Sequence, residues 1–459
     1  MIRLPQTTGN TYAVMGLGLS GLIAAEALQR SGANVTAWDD DGPRREAAAL
    51  KGIPLGDLGQ ADFSDTCALV LSPGIPHSFP SPHPVAERAR GAGVPIICDV
   101  ELLAEAQRNA NFIGITGTNG KSTVTALLGH IFANAGRKAA IGGNLGPAAL
   151  GLSELGADGT YILELSSYQI ERITAAAFDI AVLINISPDH LDRHGGIDGY
   201  VAAKENLFAL TRNNAIAIVG TDDDHCRALC ARLEEKGGMN IVPISGSSII
   251  DGGIGIENGC VIDNRDGKKH LIADIRDVEN LPGAHNHQNA AAATATALAA
   301  GIDAASIATA LKTYPGLAHR QELIRRAGTI RFVNDSKATN PIAALRALEC
   351  YDHVYWIAGG RAKDGGFEDL APAFSRIKHA FLIGEAADDI ANTLGDDVPH
   401  SHCDDLDGAI AAAYAAAASS TEESVVLLSP ACASFDQFAN FEARGMAFRH
   451  GVEALETGS

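Results

Sequence analysis

One local pattern recurs along this chain: a short apolar run, a glycine-rich turn, and then an amphipathic or alanine-rich helix. Residues 12–15 lead into Gly16 and a helix over 22–29, and residues 112–115 lead into Gly117 and another helix. Strands that alternate with helices in this way predict parallel, doubly wound α/β sheets. Ligands of such sheets gather at the carboxyl ends of the strands, so the residues that follow the strands are the candidate site residues.

The chain separates into three such units. Its 459 residues agree with three domains at about 100–200 residues each. We expect a first domain over 1–99, a second over 100–314 and a third over 315–459. Within the second, residues 240–277 are glycine-rich and short-stranded, which predicts a small β insertion.

Charge, hydropathy and cysteine usage exclude several classes of protein. The 35 Lys and Arg against 55 Asp and Glu give a formal net charge of −20, which disfavours a broad nucleic-acid surface. No run of about 18 apolar residues occurs, so no membrane span is expected, and the first residues lack the apolar core of a signal peptide. The eight cysteines are spread thinly, which predicts a reducing, cytoplasmic compartment without disulfides.

A nucleotide-binding loop follows the strand over 112–115; its residues are Gly117, Thr118, Asn119, Gly120, Lys121, Ser122 and Thr123. Glycines let backbone N–H groups turn towards phosphate oxygens, and the N-terminus of the next helix adds partial positive charge. Lys121 is placed to reach the β- and γ-phosphates, and the Ser122 or Thr123 hydroxyl to bind Mg²⁺. Ile115 stands where the glycine of the usual pattern lies, so the loop is a variant.

A second glycine-rich turn follows the first strand. Gly16, Gly18 and Gly21 match the G-x-G-x-x-G pattern, and Asp39 ends the next strand, where a ribose-binding acid is expected. Such a turn recognises a diphosphate at a helix N-terminus. Because NAD and a UDP conjugate both carry a diphosphate and a ribose, the turn leaves both ligands open.

Two polar segments follow other buried strands. Glu164 comes after the strand over 161–163, and His190 comes shortly after the strand over 180–184. Carboxylate oxygen and imidazole nitrogen are suitable ligands for Mg²⁺ or Mn²⁺. We therefore expect a metal site beside the γ-phosphate at this edge of the sheet.

With these motifs together, the chain resembles the Mur ligase family over nearly its whole length. The loop at 116–123, the segment 164–167 and His190 are shared with the wider family, which includes folylpolyglutamate synthases. The segments 334–340 and 429–438 resemble the D-glutamate-adding branch. The resemblance implies an N-terminal Rossmann-like domain, a central P-loop mononucleotide-binding α/β domain and a C-terminal Rossmann-like domain. It favours UDP over NAD at the first turn.

The activity implied by the resemblance is an ATP-dependent ligation in peptidoglycan precursor synthesis. The carboxylate of UDP-N-acetylmuramoyl-L-alanine takes the γ-phosphate of ATP, and D-glutamate then attacks the acyl phosphate. The implied cofactors are ATP and two Mg²⁺ ions. The segment 200–204 matches one whose lysine, here Lys204, is carbamylated, although spacing alone predicts a helix-surface lysine. We expect a monomer with small-molecule partners; the alternatives are another Mur ligase, a folylpolyglutamate synthase-like ligase or an NAD-dependent oxidoreductase.

The resemblance also implies roles for individual residues. The catalytic residues are Lys121, Glu164, His190 and Lys204, and the metal ligands are Ser122, Glu164, His190 and the carbamate of Lys204. ATP would contact the loop together with Asn286, Asn289, Arg320 and Asp335. The UDP substrate would contact Gly18, Leu19, Ser20, Asp39, Ser72, Gly74, Asn144, Ser166 and Gln169. D-Glutamate would contact Thr339, Lys363, Ser434 and the backbone of Phe441, with Arg361 as a rival cation to Lys363.

Overall fold

The computed structural model of the chain describes residues 1–363 and 366–455, which form three β-sheets with flanking helices. One compact unit contains Met1–Arg276 and His285–Thr313, and the other contains Asp277–Ala284 and the chain from Tyr314 onward. The first two sheets belong to the first unit and the third sheet to the second. The α/β fold with parallel-rich sheets is confirmed, whereas the three domain ranges stay predictions. The third range includes 364–365 and 456–459, which lie outside the described residues.

The first sheet is parallel. Its strands are β1 (Thr11–Met15), β2 (Asn34–Trp38), β3 (Thr66–Leu71) and β4 (Ile96–Ile97). The helices that alternate with them are α1 (Leu19–Arg30), α2 (Gly42–Leu50), α3 (Pro84–Gly91) and α4 (Asp99–Ala106). The order β2-β1-β3-β4 places β1 between β2 and β3. The turns that begin at Gly16, Asp39 and Ser72 therefore meet at one edge.

The second sheet carries the phosphate loop. Its strands are β5 (Asn111–Thr116), β6 (Ala139–Gly143), β7 (Thr160–Glu164), β8 (Phe178–Leu183), β9 (Thr211–Gly220), β10 (Asn240–Ile244), β11 (Ile254–Glu257), β12 (Cys260–Asp263) and β13 (His270–Asp274). Its helices are α5 (Lys121–Asn134), α6 (Ser167–Ile170), α7 (Leu191–His194), α8 (Ile197–Ala209), α9 (Asp224–Lys236), α10 (Ala284–Ala299) and α11 (Ala304–Lys312). The strand order is β13-β12-β11-β10-β9-β8-β5-β7-β6, so β5 lies between β7 and β8.

The segment 240–277, expected as a small β insertion, instead lengthens this second sheet. β10 pairs in parallel with β9, and β11 continues the sheet beside β10. β12 and β13 then add antiparallel strands at the same edge. Glycine-rich turns shorten these strands, which is why the sequence pattern suggested a separate element.

The third sheet is mixed. Its strands are β14 (Glu322–Ala327), β15 (Ile330–Asn334), β16 (Val354–Gly359), β17 (Ile377–Ile383), β18 (His400–His402) and β19 (Ser424–Leu428). Its helices are α12 (Pro341–Leu348), α13 (Ala387–Leu394), α14 (Leu406–Ala418) and α15 (Phe441–Ala454). β14 and β15 form an antiparallel hairpin, and the remaining pairs in the order β14-β15-β19-β16-β17-β18 are parallel.

Within the first unit, one cluster of buried apolar side chains is shared by the first and second sheets. It includes Leu28 of α1, Leu103 of α4 and Phe112 of β5, which are each at most 2% exposed. Burial of this apolar surface fixes the two sheets against each other. Among the described residues, no helix is both long enough and apolar enough to cross a bilayer.

Candidate active site

The phosphate loop connects β5 to α5 and requires two of its glycines. Gly117 has φ +155° and Gly120 has φ +83°, backbone angles that L side chains rarely adopt. A Cβ atom at Gly120 would also lie 2.1 Å from Oδ1 of Asn289. The predicted adenine-binding helix α10 therefore packs directly on the predicted phosphate loop.

Asn185, just after β8, binds two amides of the loop, although it was not predicted as a site residue. Its carbonyl oxygen accepts the Thr118 N–H at 2.9 Å, and its Oδ1 accepts the Asn119 N–H at 2.9 Å. The Thr118 hydroxyl also lies 3.2 Å from the Tyr200 hydroxyl. Asn185 follows a strand of the predicted parallel sheet, and that position was the signal that could have identified it.

Lys121, at the start of α5, folds back over the loop. Its Nζ donates to the carbonyl oxygens of Gly117 and Thr118, both at 2.9 Å. Ser122 is buried and Thr123 is half-buried behind it. The structure thus places a cation at the mouth of a loop built to receive an anion.

Glu164, the last residue of β7, lies beside Ile115 of β5 in the sheet register. Its side chain is buried, with Oε1 accepting a hydrogen bond from Asn144 Nδ2 at 2.8 Å. Oε2 is buried and has no hydrogen-bond partner among the described residues. Asn144, predicted for the UDP substrate, and Glu164, predicted for the metal, are therefore in direct contact.

Lys204 lies on α8 with its side chain turned into the protein. It is 1% exposed, and its Nζ donates to the Gly117 carbonyl oxygen at 2.9 Å. The ammonium also lies 4.5 Å from the centre of the Tyr200 ring. Burial, and secondly the charge of Lys121, hold the pKa of Lys204 well below its usual value. The helix-surface position predicted from spacing is wrong.

His190 begins α7 with φ +51°. Its side chain is about half exposed, and its Nε2 lies 3.6 Å from a carboxylate oxygen of Asp189. Burial lowers the pKa of His190, and Asp189 partly opposes that change. The imidazole is consequently neutral at neutral pH, which is the form that binds metals.

The side chains that the structure describes at this site supply too few ligands to hold a metal ion by themselves, so a bound nucleotide would have to supply the others. Among the described residues, no group of three or more His, Cys, Asp or Glu side chains is arranged to hold a metal ion. The unpartnered Oε2 of Glu164 is nevertheless an oxygen donor of the kind Mg²⁺ prefers. Since Mg²⁺ usually binds through one or two protein ligands plus phosphate oxygens and water, the donor set fits Mg²⁺ bound with a nucleotide.

A cavity of about 390 Å³ lies at the carboxyl edge of the first sheet. Six residues predicted for the UDP substrate line it: Gly18, Leu19, Ser20, Asp39, Ser72 and Gly74. Asp39 accepts the Leu17 N–H at 2.6 Å and the Asp41 N–H at 2.9 Å. Burial acts to raise the pKa of Asp39, but these amide hydrogen bonds and Arg44 outweigh it, so the pKa is lowered and the group is ionised.

Ser166 and Gln169 form the capping box of α6. The Gln169 N–H lies 3.3 Å from Ser166 Oγ, and the Ser166 N–H donates to Gln169 Oε1 at 3.1 Å. Gln169 is fully buried, and its Nε2 has no hydrogen-bond partner among the described residues. Both predicted substrate residues therefore also fix the start of the helix that follows Glu164.

The two predicted adenine-binding residues share one face of α10. Asn289 Nδ2 donates to Asn286 Oδ1 at 3.0 Å, and both residues are buried. Their hydrogen bond, together with the packing of Asn289 on Gly120, places the pair beside the phosphate loop.

In the second unit, Asp335 follows β15 and is buried. Ser429 Oγ donates to its Oδ2 at 2.8 Å, and the Gln321 N–H donates to its Oδ1 at 3.2 Å. Burial raises the pKa of Asp335 to about 7, against the opposing effects of these donors and of Arg320. The half-buried Arg320 is thus an electrostatic neighbour of the predicted ribose contact.

The structure separates the two rival cations of the predicted D-glutamate site. Lys363 Nζ donates to Thr339 Oγ1 at 3.2 Å. Arg361 instead forms a two-pronged ion pair with Glu385, at 3.0 and 2.9 Å. Lys363 is therefore the cation beside Thr339, whose hydroxyl is predicted to contact D-glutamate.

Two further residues predicted to contact D-glutamate lie after β19: Ser434 in the segment between β19 and α15, and Phe441 at the start of α15. Ser434 is 2% exposed. The Phe441 carbonyl oxygen accepts a hydrogen bond from Ser336 Oγ at 2.8 Å, and Lys337 Nζ lies 3.8 Å from the centre of the Phe441 ring. These contacts fix the start of α15 against the segment that follows β15.

Comparison with known proteins now decides the family. Residues 115–297 match the Mur ligase middle domain, and residues 319–432 match the Mur ligase glutamate ligase domain. A UDP-N-acetylmuramoylalanine–D-glutamate ligase of Paramagnetospirillum magneticum is 50% identical over 459 residues, which is 100% of this chain and 99% of the relative. The chain belongs to the Mur ligase family. A ligase of the same name from Caulobacter vibrioides is 49% identical to this Mur ligase, over 100% of the chain and 98% of the relative.

Solved structures of other Mur ligases share the fold. The UDP-N-acetylmuramate–alanine ligase of Thermotoga maritima superposes with a TM-score of 0.60 at 18% identity, over 97% of this chain and 99% of that one. A D-alanyl-D-alanyl ligase of Acinetobacter baumannii that acts on a UDP-N-acetylmuramoyl peptide superposes with a TM-score of 0.58 at 18% identity. The match covers 77% of this chain and 78% of that one. The expected α/β architecture of the family is thereby confirmed for this chain.

Proposed function

We propose that this Mur ligase joins D-glutamate to UDP-N-acetylmuramoyl-L-alanine at the expense of ATP, in peptidoglycan precursor synthesis. The observation that carries the proposal is the identity of about one residue in two, along the whole chain, with relatives named for that reaction. The contacts of Lys121 and Lys204 with the phosphate loop, and the position of Glu164 beside the strand that leads into it, support phosphoryl transfer as its first step.

The reaction proceeds in two balanced steps. A carboxylate oxygen of the UDP substrate attacks the γ-phosphorus of ATP, the bond from that phosphorus to the β-phosphate oxygen breaks, and ADP leaves. The amine of D-glutamate, whose ammonium form has already lost one proton, then attacks the acyl carbon, and the attacking nitrogen loses a second proton, which the departing phosphate takes up. The bond from this carbon to the phosphate oxygen breaks, so an amide and inorganic phosphate are formed.

The first step brings two anions together, and the loop residues reduce their repulsion. The N–H groups at the start of α5 and the ammonium of Lys121 bind the phosphates. Ser122, Glu164 and His190 are the residues that would hold Mg²⁺. When bound, Mg²⁺ neutralises charge on the phosphate oxygens. Asn144, hydrogen-bonded to Glu164, orients the incoming carboxylate beside the same group.

Lys204 is proposed to carry a carbamate. Its depressed pKa increases the share of neutral amine, which is the form whose nitrogen attacks the carbon of CO₂. The product is an N-bound carboxylate, and one proton is released. This reaction converts a buried cation beside Gly117 into an anion, and the anion would be a ligand for a second Mg²⁺.

The remaining assignments divide the ligands over the chain. Asn286 and Asn289 are proposed for adenine, and Arg320 and Asp335 for the phosphates and ribose of ATP. The cavity of the first sheet is proposed for UDP. Thr339, Lys363, Ser434 and Phe441 are proposed for D-glutamate, whose two carboxylates require a cation and several donors.

A phosphate-release assay tests this function. Purified protein is given ATP, Mg²⁺ and UDP-N-acetylmuramoyl-L-alanine with D-glutamate, L-glutamate, L-alanine or diaminopimelate, and a parallel reaction replaces the UDP substrate with a folate. We expect phosphate release and amide product with D-glutamate only. Release that depends on another amino acid or on the folate would overturn the assignment in favour of another ligase of this class.

Two expectations, about the oligomeric state and the cellular compartment, accompany the proposal. We propose a monomer in a reducing cytoplasm, and the free state of all eight cysteines supports the second part. Light scattering of the purified protein would test the first part, because a mass of twice 47.6 kDa would contradict a monomer. An NAD-dependent oxidoreductase is not favoured, since it leaves Lys121 and Lys204 without a role.

A further inference from the structure

An arginine outside the predicted site residues is buried between the first and second sheets. Arg172 lies two residues after α6, in the segment that begins with Glu164, and is 1% exposed. An arginine that follows a short helix usually lies at the surface, so its burial requires a physical reason.

The guanidinium of Arg172 donates hydrogen bonds to the loop that follows β3. Its Nη1 donates to the carbonyl oxygens of Leu71 and Ser72, both at 2.9 Å, and its Nη2 donates to that of Ile75 at 2.7 Å. A longer contact of 3.5 Å joins Nη2 to the Pro73 carbonyl oxygen. One side chain from the segment after α6 thereby binds four carbonyl groups of the loop that follows β3.

The charge of Arg172 is compensated by peptide dipoles. Burial lowers its pKa to about 10, which leaves the group protonated at neutral pH. Within the described part of the chain, no carboxylate lies at ion-pair distance from it. A buried cation is costly unless its donors are satisfied, and the two terminal nitrogens of Arg172 donate to several carbonyl groups at once. A lysine could not span the same set. The Nε of Arg172 is buried and has no hydrogen-bond partner among the described residues.

The loop bound by Arg172, residues 71–75, forms one wall of the cavity proposed for UDP. Ser72, Pro73, Gly74 and Ile75 all line that cavity. A trans peptide points its N–H opposite to its C=O, so the Pro73 carbonyl that faces Arg172 directs the Gly74 N–H away from it. Arg193 donates to the Gly74 carbonyl oxygen at 3.1 Å, so a second guanidinium binds the same loop.

The segment that carries Arg172 also carries the other end of the predicted substrate site. Ser166 and Gln169 precede it in the capping box of α6, and Glu164 begins the segment. Because a substrate that spans both sheets needs both ends at a fixed separation, one residue that ties the loop to this segment sets that separation.

We propose that Arg172 is a positioning residue of the UDP-substrate site, which acts by holding the loop 71–75 in the conformation that receives the uridine diphosphate. The inference rests on the proposed function for the identity of the substrate. It predicts a selective effect: replacing Arg172 weakens binding of the UDP moiety and leaves binding of ATP intact.

The test compares Arg172→Lys and Arg172→Ala with the wild type and with Arg88→Ala. Arg88 is a matched control, since it donates to the Ala61 carbonyl oxygen at 2.6 Å but lies at the surface outside the cavity. Michaelis constants are measured for the UDP substrate, ATP and D-glutamate. UDP binding is measured separately by calorimetry, and thermal unfolding shows whether each variant is folded.

We expect Arg172→Lys to raise the Michaelis constant for the UDP substrate and the dissociation constant for UDP by about tenfold, with the constant for ATP changed by less than about twofold. Millimolar guanidinium is expected to restore UDP binding to Arg172→Ala, whereas methylammonium is not. If Arg172→Ala does not fold, Arg172→Lys decides the result. UDP affinity of Arg172→Lys equal to wild type, or an equal loss for ATP, would overturn the proposal.

These outcomes are distinguishable from failure of the proposed function. Calorimetry with UDP requires no ligation, so it reads the role of Arg172 even if D-glutamate proves to be the wrong amino acid. Conversely, wild-type ligation of D-glutamate with unchanged constants in Arg172→Lys would refute only the role of Arg172.

Discussion

The buried carboxyl of Asp335 provides a quantitative test of the electrostatics of the second unit. We expect Asp335→Asn to stabilise the protein at pH 8 much more than at pH 5. An asparagine can keep both hydrogen bonds: its oxygen accepts the Gln321 N–H, and its amide donates to the rotatable hydroxyl of Ser429, which now donates to Asp335. The substitution therefore removes the titration with little loss of hydrogen bonding.

The magnitude follows from the raised pKa. Burial moves the pKa of Asp335 from 3.8 to about 7, so the folded protein prefers the neutral acid. Its contribution to stability is fully present below pH 4 and is lost as the pH rises through 7. About two of the three pK units fall between pH 5 and pH 8, which corresponds to roughly 2–3 kcal/mol of unfolding free energy. Asp335→Asn should abolish this loss.

Trp356 allows the unfolding of the second unit to be measured by itself. It is buried in β16, and its indole N–H donates to the Ser429 carbonyl oxygen at 2.8 Å. The chain has two tryptophans, so a Trp38→Phe background leaves Trp356 fluorescence to report urea unfolding of the second unit. Other titrating groups cancel in the difference between the variant and this background. An equal effect of Asp335→Asn at pH 5 and pH 8 would refute the reasoning.

Three further predictions concern the chemistry. Glu164→Gln should lower kcat by roughly 10²–10³-fold in phosphate release, because it removes a buried charge beside the phosphate loop; a loss below about tenfold would contradict that role. Native mass measurement in bicarbonate should show one added CO₂ unit in the wild type and none in Lys204→Ala; full activity of CO₂-free wild type would argue against the carbamate. Lys363→Ala should raise the Michaelis constant for D-glutamate by about tenfold, whereas Arg361→Ala, already paired with Glu385, should change it by less than about twofold; the reverse ranking would exclude Lys363.

Much of the fold could be predicted from the apolar runs of the sequence and from the turn residues that end them. The strands that became β1, β5, β8 and β19 are apolar runs that end at turn residues, and their parallel pairing follows from the helices between them. The strand β14 (Glu322–Ala327) was not predicted, because its ELIRRA sequence is charged and its side chains are mostly half-buried. It forms only by pairing with β15 across a tight hairpin.

The site was predictable where backbone geometry determines the residue, and less so where burial does. Gly117 and Gly120 could be assigned from the loop pattern alone. The burial of Lys204 could not, because spacing places it on a helix without showing which face meets Gly117. Arg172 gave no signal, since its partners are carbonyl groups about 100 residues away that leave no trace in the local sequence.

In the proposed reaction, phosphorus passes from ATP to the carboxylate of the UDP substrate before the amide forms. The most direct measurement uses UDP-N-acetylmuramoyl-L-alanine labelled with ¹⁸O in that carboxylate, together with ATP and D-glutamate. We predict that each molecule of released phosphate carries one ¹⁸O atom, because the oxygen that attacked phosphorus leaves with it. Phosphate without label, formed at the same rate as the amide, would contradict an acyl phosphate and with it the proposed chemistry.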